Sequence, residues 1–109
     1  MSRPAGYIIL TAEFWREDNQ WVGLCRELGT SSFGNTLEEA REALGDLVML
    51  HVRTLESLNE RKAFFKAHGI VFHRTKPREG APMQPVSVGF NRLVERLIEP
   101  IAHSAVAAV

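Results

Sequence analysis

Trp21-Val22-Gly23-Leu24-Cys25-Arg26-Glu27-Leu28-Gly29-Thr30-Ser31-Ser32-Phe33-Gly34-Asn35-Thr36-Leu37-Glu38-Glu39-Ala40-Arg41-Glu42-Ala43-Leu44-Gly45 is the stretch that decides the fold. It reads as two short strands running directly into a helix start. Thr36 and Glu39 stand three apart before an apolar run, so each side chain can bond the orphan backbone N–H nearest the other. Thr36 is therefore the N-cap, and its replacement by Ala should cost roughly 1 kcal/mol. Glu38 and Glu39 add negative charge at the positive end of the helix dipole, while Gly34 and Asn35 supply the turn from strand to helix.

Upstream, Tyr7 to Arg16 is rich in β-branched and aromatic residues. Glu17-Asp18-Asn19 breaks the run, and Gln20 to Arg26 resumes it, the pattern of an antiparallel hairpin. Thr30 to Gly34 completes a meander. In the first strand Ile8, Leu10, Ala12 and Phe14 alternate onto one face, and Tyr7, Ile9, Thr11, Glu13 and Trp15 onto the other. That second face is not plainly polar: Tyr7, Ile9, Trp15 and Trp21 would leave an apolar patch of the kind that marks a subunit or partner contact.

Downstream the period becomes helical, with Leu37, Ala40, Leu44, Leu47, Val48, His51, Leu55 and Leu58 on one stripe of a helix laid across the sheet. Gly45 inside it costs about 1 kcal/mol relative to Ala and is expected to mark close approach to the sheet. His51, on the apolar side, reads as a hydrogen-bonded core residue. Asn59 is expected to cap a second helix, Glu60 to His68, which Gly69 stops. Ile70 to Arg74 then alternates as a fourth strand. Residues 76–85, with Pro77, Gly80, Pro82 and Pro85, form a linker by composition. Residues 86–109 would be a strand and helix arm, Pro85 to Phe90 extended and Asn91 capping a helix that carries Leu93, Val94, Leu97, Ile98 and Ile101. Pro100 should bend or end that helix. Val86, Val88 and Phe90 share one strand face and leave only Pro85, Ser87 and Gly89 on the other, which suits oligomerisation better than base reading.

With 109 residues the chain fits one domain, short enough that burial against a second copy would help, so a homo-oligomer is expected. Thirteen basic and thirteen acidic residues give a formal net charge of zero, which offers no bulk pull toward nucleic acid or anionic lipid. No stretch approaches a membrane span, Met1 to Gly6 is no signal peptide, and the lone Cys25 fits a reducing cytoplasm as a small core residue rather than a nucleophile. The carboxylates Glu13, Asp18, Glu27 and Glu38 include no three that must converge on a metal. The histidines His51, His68, His73 and His103 lack zinc-site spacing, and no phosphate loop or nucleophile elbow is present. The basic run His73, Arg74, Lys76 and Arg78 reads as a solvated edge beside the linker. No cofactor and no enzymatic activity are expected.

The order strand, strand, strand, capped helix, helix, strand, with Gly34-Asn35-Thr36-Leu37-Glu38-Glu39-Ala40 and Arg41-Glu42-Ala43-Leu44, resembles the HicB-like antitoxin family over Tyr7 to His73. Trp21 to Leu24, Glu27-Leu28-Gly29 and Phe64-Phe65-Lys66-Ala67-His68-Gly69-Ile70 carry the rest of the likeness. The resemblance implies an α+β fold: a three- to four-stranded antiparallel sheet with one long helix packed across it and a short second helix, a partial RNase H-like outline over residues 1–75. It also implies a non-enzymatic partner that masks a small ribonuclease toxin of HicA type, or a stand-alone relative. The sequence departs from the family pattern at Arg26 and Thr30, where many members have proline and a cysteine or apolar residue. The segment after the fourth strand is too short for a helix-turn-helix and short even for a ribbon-helix-helix, so DNA binding by a ribbon-helix-like arm is the alternative reading. The expected anchors of a masked partner are Tyr7, Trp15 and Trp21, since aromatic side chains dominate such interfaces.

Overall fold

The first strand organises everything else. The computed structural model describes residues 4–77 and 92–102. β1 (Gly6–Glu17) turns through Asp18 and Asn19, both at positive φ, into β2 (Gln20–Cys25). A two-residue turn of this kind matches the right-handed twist of its strands, and Asp and Asn tolerate its left-handed backbone. β3 (Thr30–Gly34) pairs with β2, followed by α1 (Leu37–Ser57), α2 (Arg61–Ala67), β4 (Phe72–His73) and β5 (Leu93–Ile101). All pairings are antiparallel.

β1 bonds on both edges. One edge takes β2 from Ala12 to Glu17 and β4 at Tyr7 and Ile8; the other takes β5 from Gly6 to Phe14. Between β2 and β4 the Thr11 carbonyl accepts from the Arg26 N–H at 3.0 Å, but the Thr11 N–H meets no described strand carbonyl. The Glu27 carboxylate fills this gap, accepting from the Thr11 N–H at 2.8 Å and from its hydroxyl at 2.9 Å.

The helix start is built as its sequence implies. The Thr36 hydroxyl accepts from the Glu39 N–H at 3.1 Å. The Glu39 carboxylate reaches one residue further back than in the usual capping box, accepting from the Asn35 N–H at 2.7 Å. Ile8, Leu10, Ala12 and Phe14 pack against Ala40, Leu44, Val48, Val52 and Leu55, with Cys25 buried between the layers. The core stripe of α1 is rotated from the expected one: Val52 is inside, while Leu47 and Leu58 are exposed. The Ser32 hydroxyl donates to the Ala40 carbonyl at 2.9 Å, tying α1 to the sheet.

Several expectations are corrected. Gly45 does not approach the sheet, since a Cβ there would meet nothing within 4 Å. Asn59 does not cap α2. It takes a positive φ as the left-handed residue that ends α1, with Asn59 N–H bonded to Glu56 O and Glu60 N–H to Leu55 O. Gly69 closes α2 the same way, as expected, and buries Ile70 with Phe65. The fourth strand is confined to Phe72–His73.

The largest correction concerns the C-terminal segment. Leu93–Ile101 is not an amphipathic helix but a fifth strand, one more than expected, paired with β1 over nine register positions of the same protomer. Its apolar spacing fits a helix as well as a strand; the long free edge of β1, which no local pattern reveals, decides the outcome. The expected strand 86–90, the Asn91 cap, most of the linker, Arg78 and His103 lie outside the described residues.

Candidate partner-binding face

One side of the sheet is covered by the helices; the other, the open side, bears no described helix, although Glu13, Val22 and Val94 on it are buried. Register sorts the side chains, because residues paired across strands share a face. The helix side carries Ile8, Leu10, Ala12 and Phe14 with their β5 partners Glu99, Leu97, Glu95 and Leu93. The open side carries Tyr7, Ile9, Thr11, Glu13 and Trp15, flanked by Ile98, Arg96 and Val94 of β5 and by Leu24 and Val22 of β2. β3 extends it with Ser31 and Phe33.

Of the three expected anchors, the structure puts two on the same face of the sheet, apart from each other. Tyr7 and Trp15 stand at opposite ends of β1 on the open face, each partly buried. Trp21 does not join them: it pairs with Arg16 and Gly34 and packs against the core on the helix side. Sequence reasoning missed Phe33, which is 61% exposed and sits across Val22 from Trp15. The signal was present in the alternation of β3, where buried Ser32 fixes its neighbours outward.

Trp15 and Phe33 wall an open groove of about 520 Å³, floored by Val22 and Leu24 and rimmed by Glu17 and Asp18 at the hairpin tip. Trp15 is held in place: its Nε1–H donates to Glu17 Oε2 at 3.3 Å, and the Arg92 guanidinium carbon lies 4.6 Å from the ring centre.

Beside it Glu13 is 7% exposed and ion-paired with Arg26. The Arg26 hydrogen bond pulls the Glu13 carboxyl below its usual range against the opposing effect of burial. Glu13 is thus an ionised, partnered group. The other carboxylates considered for a metal are also engaged or remote: Glu27 holds Thr11, Glu38 pairs with Arg41 at 3.1 Å, and Asp18 lies in the turn. Among the described residues no three His, Cys, Asp or Glu side chains gather in a metal-binding group. His51 meets the Thr30 hydroxyl at 3.1 Å and His68 stacks on Phe64. No described helix is long and apolar enough to cross a membrane.

Comparison with known proteins found no matching family model, no matching curated protein and no matching solved structure.

Proposed function

We propose that this chain is a non-enzymatic, antitoxin-type binding protein of the cytoplasm, which covers a small ribonuclease toxin of HicA type with the open face of its sheet, or is a stand-alone relative of such a protein. The observation that carries this reading is the groove between Trp15 and Phe33. Aromatic walls over an aliphatic floor supply the kind of anchor pocket on which protein interfaces depend. Glu17 and Asp18 at its rim suit a basic partner, which would be steered in and held in register by opposite charge. Tyr7 would extend the contact toward the other end of β1. The mechanism is steric: the face occupies the toxin's RNA-binding surface.

The ribbon-helix alternative requires a helix over residues 93–101, and that segment is an internal partner of β1. Metal-dependent hydrolysis has no converging carboxylates to draw on among the described residues.

The test pairs the full chain with the small basic protein encoded by a neighbouring reading frame, assaying RNA cleavage by the partner alone and with antitoxin added. The chain should suppress cleavage, and Trp15→Ala with Phe33→Ala should weaken the complex about a thousandfold, at about 2 kcal/mol for each anchor. A double variant that keeps its circular dichroism spectrum and still protects as well as the parent would refute the assignment of the face.

A further inference from the structure

Besides the two-residue β4, the sheet ends in two longer outer strands, β3 and β5, and their edges differ. Hydrogen-bonded pairs alternate outward from the Asp18-Asn19 turn, so β3 bonds to β2 through Thr30, Ser32 and Gly34. The N–H and C=O groups of Ser31 and Phe33 therefore point away from the sheet. By the same alternation β5 presents Val94, Arg96, Ile98 and Pro100 at its outer edge. Pro100 has no N–H to offer and Arg96 brings charge, both devices that discourage strand addition. β3, Thr-Ser-Ser-Phe-Gly, contains no charge and no proline.

The helical layer carries a matching feature above that edge. His51 faces Thr30 and Ala40 faces Ser32, whereas Arg41 reaches Glu95 of β5 on the opposite flank of α1. Continuing round α1 from His51 away from β5, at helical spacing, come Leu58, Leu47, Thr54 and Leu50. Leu50 and Leu58 are 61% and 59% exposed and Leu47 is also open to solvent.

We infer that this chain forms a two-fold dimer in which β3 pairs antiparallel with β3 of a second copy and the Leu47 and Leu50 flanks of the two α1 helices pack above the seam. The inference stands independently of the antitoxin reading. A dyad at Ser32 sets Ser31 opposite Phe33 of the second copy twice, so every outward N–H and C=O of those residues finds a partner. An uncharged strand edge meets itself without repulsion, as an isologous contact requires. The surface is about 17 Å along the strand and about 22 Å along the helix flank. That lies near the lower limit of stable interfaces, about 600 Å² per copy, so a dimer in the micromolar range is expected. It leaves the open face free and brings two copies of it side by side.

Sedimentation equilibrium of the full chain from about 1 to 200 μM tests this, the range in which a small interface should titrate. The expected species has twice the 12.2 kDa chain mass. Ser31→Pro removes an N–H that bonds nothing among the described residues of the protomer, and Leu50→Glu alters an exposed side chain. Both should keep the circular dichroism spectrum and weaken the dimer at least tenfold, while Arg96→Pro on the β5 edge should leave it unchanged. A monomer at every concentration, an undiminished dimer in Ser31→Pro, or loss of the dimer in Arg96→Pro alone would overturn the proposal.

Discussion

Glu99 is the side chain whose replacement should most clearly separate the acid and neutral behaviour of this fold. It sits on the helix side of β5, 8% exposed, in the wall of a cavity of about 220 Å³ shared with Pro4, Met49, Val52, Arg53 and Glu56. Glu56 is occupied by Arg61 of α2 at 3.2 Å, which leaves Arg53 as the cation that most favours an ionised Glu99. Burial outweighs that attraction and pushes the Glu99 carboxyl up to about 6 from an ordinary 4.5. At about 1.4 kcal/mol for each tenfold, the ionised form carries a penalty of roughly 2 kcal/mol in the folded state. The penalty is absent below 4.5, where folded and unfolded chains are both protonated. It grows as the pH rises toward 6, because the unfolded chain releases the proton first, and it is complete above 6. Glu99→Gln keeps the shape and removes the charge at every pH. Urea denaturation of parent and variant should therefore give a difference in the variant's favour that is larger at about pH 7.5 than at about pH 4 by between about 1 and 2 kcal/mol. Glu13, whose carboxyl is lowered by Arg26, adds stability that is lost as the pH falls through its depressed value, but it is common to both proteins and cancels. A stability difference independent of pH would refute the argument that ionisation of Glu99 opposes folding.

Two glycines should respond oppositely to the same added methyl group. Gly45→Ala places a Cβ in open space within α1 and should raise stability by about 1 kcal/mol, seen as a higher midpoint in thermal unfolding. Gly34→Ala drives a Cβ to 2.6 Å from the Ala40 nitrogen and 2.7 Å from the Glu39 Cβ. Backbone must shift there, so a loss of about 1–3 kcal/mol is expected in the same measurement, with the Thr36 cap disturbed.

The contrast between these two positions also indicates what local pattern can tell. Thr36 with Glu39, the Asp18-Asn19 turn and the alternation of Ile8, Leu10, Ala12 and Phe14 each express their structure through near neighbours, and each is legible in the sequence. The packing roles of the two glycines depend on what lies opposite and are not. β5 is hidden for a second reason. Its helix-side row is Leu93, Glu95, Leu97, Glu99 and Ile101, in which two carboxylates interrupt the apolar alternation. Glu95 is accommodated because Arg41, fifty-four residues away in sequence, pairs with it. No inspection of the segment alone supplies that cation. For the candidate face, Tyr7 and Trp15 emerge from the alternation of β1, while the side taken by Trp21 depends on the hairpin register relative to β1. Phe33 escapes notice because β3 is short and its phenylalanine is flanked by small residues.

The placement of β5 has a consequence for how the molecule comes into being. Its partner β1 precedes β2, β3, both helices and β4 in the chain, and β5 follows all of them, so during synthesis the longest strand waits with one flank bare until every other described element has emerged. The β-hairpin, Thr36 and the long helix can assemble early from short-range encounters, but the β1–β5 ladder closes across all the elements between its two strands. Biogenesis should therefore be governed less by the well-signalled middle of the chain than by the late arrival of nine residues whose own pattern is ambiguous.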